Sequence, residues 1–299
     1  MEFIEFRKII CEKMEERLGE GYQIGEHDTE KINGIVKQGI SIRHEKENIG
    51  TICYLNQLYE DFMEGLVSED EIIDLLCDTF EHEKYLGQID KKIAWSQDWE
   101  KVKDYIKARL INTEKNENLL KGRTHVNILD LSVIFHLEFF EEDVRAGFVV
   151  SDEMMAMWGQ DKDTLLKQAI KNMEAEGIHI INIMAAKQKE VIHFENDKHM
   201  KDVVHEEPYV LTCKNVAYGA TAILSPQVRN LICKSFEDGV YILPSSIHEL
   251  MLISKRMFKN VNELQRILKI GNMMTIEPEE YLSDMIYELD ESGQLKFVE

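Results

Sequence analysis

The stretch Tyr22-Gln-Ile-Gly-Glu-His-Asp-Thr-Glu-Lys-Ile-Asn33-Gly34-Ile-Val-Lys-Gln-Gly-Ile-Ser-Ile-Arg43 places alternating segments on both sides of an Asn-Gly pair. Asparagine and glycine tolerate the positive φ angles that tight hairpin turns demand, so the pattern predicts an antiparallel pair of strands over 22–30 and 35–43. Upstream, Phe3, Phe6, Ile10, Met14 and Leu18 recur at helical spacing and predict an amphipathic helix over 2–18 that stops at Gly19. Downstream, 50–55 reads as a third strand and 54–64 resumes a helical pattern. Ser68-Glu-Asp-Glu71 then has the form of a capping box ahead of Ile72, Ile73, Leu75 and Leu76, which opens another helix. The first 92 residues therefore read α-β-β-β-α-α, and the fold class is α+β.

The remainder, residues 93–299, reads as a larger mixed α/β-sheet unit. Trp99, Val102, Tyr105, Ile106 and Leu110 lie on a common helical stripe and predict a helix over 95–110. Segments 127–140 and 144–150, rich in Ile, Leu, Phe and Val, predict buried strands joined through the acidic Glu141-Glu142-Asp143. Helices are expected over 151–158, ending at Trp158-Gly159, and over 161–176. Strands are expected over 178–184, 208–212, 219–224, 239–243 and 248–253, the last two joined by Pro244-Ser245-Ser246. Ser225-Pro226 opens a helix, with serine as cap and proline in the first turn. A further helix over 261–273 and a hairpin over 287–298 around Glu291-Ser292-Gly293 complete the chain.

Thirty-five Lys and Arg against 56 Asp and Glu leave a formal charge of −21, with 44% hydrophobic residues to supply a core. Counted by hundreds, the net charge is −13 over 1–100, −3 over 101–200 and −5 over 201–299, so the first third carries most of the excess. Nucleic-acid affinity comes from Lys and Arg displacing counterions, and this balance argues against a nucleic-acid partner. No apolar run approaches the roughly 20 residues of a spanning helix, so no membrane role is expected. The first residues also lack the basic and apolar regions of a secretory signal. The five cysteines (Cys11, Cys53, Cys77, Cys213 and Cys233) are odd in number, widely spaced and without a Cys-x-x-Cys pair. They read as free thiols in a reducing cytoplasm.

Catalytic signatures fail one after another. Gly19-Glu-Gly21-Tyr-Gln-Ile-Gly25 is one residue too long for a dinucleotide fingerprint and lies between a helix and a strand, where that fingerprint needs strand, turn, then helix. No phosphate-binding P-loop occurs. His44, His82, His205 and His248 each precede a glutamate, but none has the second histidine of a zincin motif. His193, His199 and His205, among Glu195, Asp197, Asp202 and Glu206, form the densest set of ligand-type residues. On one helix their six-residue spacing would turn them roughly 240° apart, so only an irregular loop would gather them around a metal. Ser246, His248 and Glu249 hold a hydroxyl, an imidazole and a carboxylate within four residues. In a strand Glu249 would face away from the other two, which suits a capped turn better than a triad. Met154, Met155 and Met157 beside Trp158, and Tyr54, Leu55, Leu58, Tyr59, Phe62 and Met63, read as core packing.

Several strings resemble an uncharacterised clostridial family that carries a domain of unknown function, with distant similarity to another uncharacterised bacterial family. They are Tyr54-Leu-Asn-Gln-Leu-Tyr59, Arg109-Leu-Ile-Asn112 with 116–120, Asn127-Ile-Leu-Asp-Leu131, and Trp158-Gly with Ala169-x-x-Asn172. Further along come Gly219-Ala with 222–224, Leu243-Pro-Ser-Ser-Ile-His-Glu249, and Pro278-Glu-Glu-x-Leu-Ser-Asp284-x-x-Tyr287. Asn272-Met-Met-Thr275 departs from that pattern, which reads closer to Asn-Ala-Thr. The resemblance implies one architecture over nearly the whole chain and supplies no activity, catalytic residue or cofactor. The expectation is a cytoplasmic interaction or regulatory protein that binds another protein through its acidic N-terminal third, with no cofactor and the oligomeric state open. The alternative is a hydrolase or metal-dependent enzyme using Ser246, His248 and Glu249, or His193, His199 and His205.

Overall fold

The computed structural model describes residues 1–46, 50–82, 95–141, 144–184, 191–193 and 206–298. It divides into two compact units, one of Met1–Asp98 with Phe139–Ala146 and one of Trp99–Glu138 with Gly147–Glu299. The sequence-based boundary at residues 92–93 lies outside the described residues.

The first unit follows the predicted order. Helix α1 (Phe3–Leu18) is closed at its start by reciprocal bonds between Glu2 and Glu5. Strands β1 (Tyr22–Glu30), β2 (Val36–His44) and β3 (Thr51–Tyr54) form an antiparallel sheet in that order. Its register pairs Glu30 with Val36, which leaves a longer loop than a two-residue turn. Asn33 (φ 63°) and Gly34 (φ 72°) supply the positive angles, and the Lys31 amide donates to Ile35 O at 2.7 Å. Helices α2 (Asn56–Met63) and α3 (Glu69–His82) follow, the latter opened by the capping box in which Glu71 N donates to Ser68 Oγ and Ser68 N to Glu71 Oε2. Phe6, Ile10 and Met14, four residues apart on one face of α1, pack against Ile40, Ile42, Cys53 and Leu55 of the sheet region and Ile72, Ile73, Leu76 and Phe80 of α3. Each such buried side chain contributes about 1.5–3 kcal/mol of transfer free energy. Leu55 is fully buried, whereas Met63 at the end of α2 is exposed.

The second unit begins with a correction. Only Trp99–Val102 of the expected 95–110 helix is α-helical among the described residues past Asp98, followed by a 3-10 turn, and Ile106–Asn112 is strand β4. Ile106 and Leu110 share a face at either the helical or the strand period, so the stripe did not discriminate. The partner does: β4 runs antiparallel to β6 (Leu131–Glu141), from Ile106 opposite Leu137 to Asn112 opposite Leu131. The expected 127–140 segment is broken at Leu129 (φ 57°), where β5 (His125–Ile128) turns into β6, and β7 (Val144–Val149) also pairs with β6. The expected turn residues Glu142 and Asp143 lie outside the described residues.

Helices α4 (Asp152–Trp158) and α5 (Lys162–Glu176) are capped by Ser151 and Asp161, and Gly159 ends α4 in the left-handed conformation. A second antiparallel sheet runs β14-β13-β11-β12-β10-β8-β9. Its strands are β8 (Ile178–Asn182), β9 (Val191–His193), β10 (Tyr209–Cys213), β11 (Val240–Leu243), β12 (Leu250–Ser254), β13 (Tyr287–Leu289) and β14 (Leu295–Phe297). Helix α6 (Pro226–Ser235) starts at Ser225, whose hydroxyl accepts from Val228 N, and helix α7 (Val261–Thr275) starts at Asn260. The expected strand over 219–224 is instead a wholly buried 3-10 helix, Gly219–Leu224. Its one polar residue, Thr221, sets no alternation, and a run buried all round suits a short helix as readily as a strand.

Candidate functional site

The histidine singled out by sequence, His248, sits on the connection from β11 to β12, and the fold surrounds it with groups distant in sequence. Gly219, which opens the buried 3-10 helix, packs so tightly that a Cβ there would lie 2.5 Å from Cys213 N and closer still to Thr212 Oγ1 and the His248 carbonyl. That approach carries the preceding Tyr218 onto the imidazole. Tyr218 N donates to His248 Nδ1 at 3.1 Å, and the two rings lie 5.6 Å apart. On the other side of the imidazole, Nε2 meets Glu280 Oε1 at 3.2 Å. A ring nitrogen that accepts carries no proton, so the Tyr218 amide selects the tautomer that donates from Nε2 to Glu280. The Arg109 guanidinium lies over the Tyr218 ring, 3.7 Å from its centre, and pairs with the buried Glu138 carboxylate. Arg109 Nε is buried with no hydrogen-bond partner among the described residues. The result is a row running Glu138, Arg109, Tyr218, His248, Glu280.

Val216 (φ 61°) and Tyr218 (φ 56°) both adopt the left-handed conformation, which is costly for a β-branched valine and an aromatic. Strain of about 1–3 kcal/mol per residue persists only where the surroundings over-determine the backbone. Here Val216 N donates to Cys213 O, Thr221 Oγ1 to Tyr218 O, and the Tyr218 amide to the imidazole. His248 thus latches the 214–218 loop.

The structure distributes the sequence-derived candidates as follows. Ser246 is buried, and its hydroxyl accepts from the His248 main-chain N–H at 3.1 Å. The imidazole that a triad would require at that hydroxyl is engaged by the Tyr218 amide and Glu280. Glu249 has no hydrogen bond or ion pair among the described residues, and Glu280 takes the carboxylate role beside the ring. His193 is in β9, opposite His179 of β8, while His199 and His205 lie outside the described residues. Among the described residues no group of three His, Cys, Asp or Glu could hold a metal ion. The cysteines are free thiols; burial pushes Cys213 up to about 11, and burial with nearby Glu26 does the same for Cys11, which removes thiolate character. Trp158 is buried against Trp99, and Met157 is exposed.

A second polar constellation holds the 278–287 segment. Asp130 accepts from Ser283 Oγ and from Tyr287 OH, both at 2.6 Å. Asn112 Nδ2 donates to Leu282 O at 3.0 Å, and Asn272 Nδ2 to Ser283 O and Asp284 Oδ1. Burial and the bond to Asp130 raise the Tyr287 hydroxyl far above its ordinary value, and burial with Asp284 pushes Tyr281 up to about 12. These groups act as neutral donors that brace the loop carrying Glu280. Motif reasoning missed Arg109, Asp130, Tyr218, Glu280, Ser283 and Tyr287. Most of them stood inside the family-resembling strings, which was the one signal available.

In the first unit, α3 carries Glu69, Asp70, Glu71, Asp74 and Asp78 with no Lys or Arg along its length. Asp70, Glu71, Asp74 and Asp78 are exposed around an exposed Leu75. From α1, Lys13 pairs with Glu69 and Asp70, and Arg17 with Asp74. No helix among the described residues is long and apolar enough to cross a membrane.

No curated protein and no solved structure matches this chain. Residues 3–291, nearly its whole length, match the Family of unknown function (DUF5688), and the chain belongs to that family.

Proposed function

We propose that this is a non-enzymatic interaction or regulatory protein of the cytoplasm that binds a basic partner protein through the acidic face of its first unit. The observation that carries the reading is α3, where exposed Asp70, Glu71, Asp74 and Asp78 surround the exposed Leu75. An exposed apolar side chain with acids along one flank, of which Asp70 and Asp74 also meet Lys13 and Arg17, has the chemistry of a small docking surface with a polar rim. The charge excess of the first third steers cationic partners toward it and is screened by salt. The free cysteines support the cytoplasmic placement. The hydrolase alternative would require His248 to leave both Glu280 and the Tyr218 amide before reaching Ser246, and the metal alternative rests on His199 and His205, outside the described residues.

The test is capture from lysate by the full chain at about 0.05 M and about 0.5 M salt, repeated with Asp74→Lys/Leu75→Ser/Asp78→Lys. Basic partners should be held at low salt, released at high salt and lost to the variant while its circular dichroism stays unchanged. The same partners bound by the variant, or none bound at either salt, would refute the reading. A parallel esterase and phosphatase screen separates the enzymatic alternative.

A further inference from the structure

The Tyr218 amide, in a left-handed backbone (φ 56°), is aimed at a histidine side chain where most amides find a carbonyl. The difference matters, because a carbonyl accepts at every pH, whereas an imidazole nitrogen accepts only while it carries no proton. His248 Nδ1 takes the Tyr218 amide at 3.1 Å while Nε2 meets Glu280 Oε1 at 3.2 Å. With Nε2 already donating to Glu280, a proton added to the ring goes to Nδ1, and there it turns the acceptor into a donor facing another donor. Imidazoles make this change between about pH 5 and about pH 8. The His248 side chain is 29% exposed, so solvent protons reach it.

Of the two partners the histidine is fixed and the loop can move. Ile247 N donates to Glu280 O at 2.8 Å, Thr212 Oγ1 to His248 O at 2.9 Å and His248 N to Ser246 Oγ at 3.1 Å, so the main chain around the ring is pinned. Residues 214–217 are exposed, and the Val216 and Ala217 amides donate only locally, to Cys213 O and Asn215 O. The left-handed angles at Val216 and Tyr218 are held against their own preference, so the segment relaxes once its hold is lost. The surrounding charges permit the change. Glu280 keeps its bond to Nε2 in either state and favours the cation, as does Glu249 next to it in the chain. From β4, Arg109 lies over the Tyr218 ring, and its charge is offset by Glu138 of β6. Lys115 lies over the ring of Tyr281, which bridges to Ser246. Cys213, held up to about 11, and Tyr281, up to about 12, stay neutral throughout the range. We infer that His248 is a pH-operated latch on the 214–218 loop: neutral, it holds the loop closed, and protonated, it keeps Glu280 and releases Tyr218. The latch uses nothing from the acidic face of the first unit and stands or falls separately from it.

The experiment is amide hydrogen exchange of the full chain at several values from about pH 8 to about pH 5, the range in which imidazoles titrate, each rate referred to the intrinsic rate at that pH. Protection of the Tyr218 amide should fall by about tenfold in a single transition as pH falls, the loss of one hydrogen bond, while the Ile247 and His248 amides stay protected. Glu280→Gln removes the carboxylate that favours the cation and should move the midpoint to lower pH. His248→Asn places an oxygen acceptor where Nδ1 stood and cannot titrate, so the amide should stay protected with no transition; His248→Ala should leave it open with no transition. Nitrogen chemical shifts of the His248 ring give a readout that needs no variant, and at pH 8 the proton should sit on Nε2. Protection of Tyr218 that ignores pH in the wild type, a transition that survives in His248→Asn, or a proton on Nδ1 at pH 8 would each overturn the inference.

Discussion

Replacing Gly219 with alanine puts one methyl group where three neighbours already stand. The added Cβ would lie 2.5 Å from Cys213 N and nearer to Thr212 Oγ1 and the His248 carbonyl, and two of the three are main-chain atoms that cannot rotate aside. Overpacking of a rigid site costs about 1–3 kcal/mol. The required shift also breaks or lengthens Thr212 Oγ1 to His248 O (2.9 Å) and Tyr218 N to His248 Nδ1 (3.1 Å), at about 0.5–1.5 kcal/mol each. The total is about 2–6 kcal/mol. For a unit of this size that lowers the melting temperature by roughly 10 °C. Thermal denaturation followed by circular dichroism reads the loss, and hydrogen exchange should show the amides of 214–218 and 246–250 opening first, because their shared contact is what the methyl displaces. Gly271→Ala is the internal control: its Cβ meets open space in a helix interior, so it should stabilise by about 0.5–1 kcal/mol. A Gly219→Ala protein melting within about 2 °C of wild type, a cost below 1 kcal/mol, would refute the claim that this backbone approach builds the His248 row.

Asp130→Ala leaves the buried Ser283 and Tyr287 hydroxyls without their carboxylate and should cost about 3 kcal/mol in urea denaturation; Tyr287→Phe alone should cost less, and the double variant should show strong coupling through the shared acceptor. Burial raises the Glu288 carboxyl, but the hydrogen bonds from Lys255 and Lys296 outweigh it and hold the group below its ordinary value. A depressed folded value means stability that is present above the unfolded glutamate value of about 4.3 and is lost as pH falls through the lower folded one. Glu288→Gln should therefore cost about 1 kcal/mol at neutral pH, and the gap from wild type should close below about pH 4; a gap independent of pH would sink the assignment. His248→Ala should cost about 1–2 kcal/mol and speed amide exchange at 214–218, whereas Ser246→Ala, which removes an acceptor for the His248 amide, should leave Tyr218 N protected.

How much of this was legible in the sequence depended on how far apart the decisive groups lie. In the first unit the turn at Asn33-Gly34, the capping box at Ser68 and the stop at Gly19 each act within a few residues, and local chemistry located α1 through α3 and the three strands between. The failures come where two readings share the same local pattern. Ile106 and Leu110 fit a helix and a strand equally until β6 is known to lie alongside, and in Gly219–Leu224 the single polar residue, Thr221, sets no period to read. The polar row and its bracing were illegible for another reason. Asp130 reaches Ser283 and Tyr287 over 153 and 157 residues, and Asn112 reaches Leu282 over 170. Spacing rules that test for a base within one turn or strand of its partner have no access to such pairs.

The same distinction separates the two kinds of surface in this molecule. Where polar groups are bonded internally, as at His248, their chemistry is explained by the strain and loop geometry they maintain, and a reactive role would have to undo bonds that are already made. Where local rules leave a remainder, the remainder faces outward. Leu75 stands among four exposed acids, though burying it would have been worth about 2 kcal/mol. The Ile267, Ile270 and Met274 stripe leaves more apolar surface in water on a helix that already has a packed face.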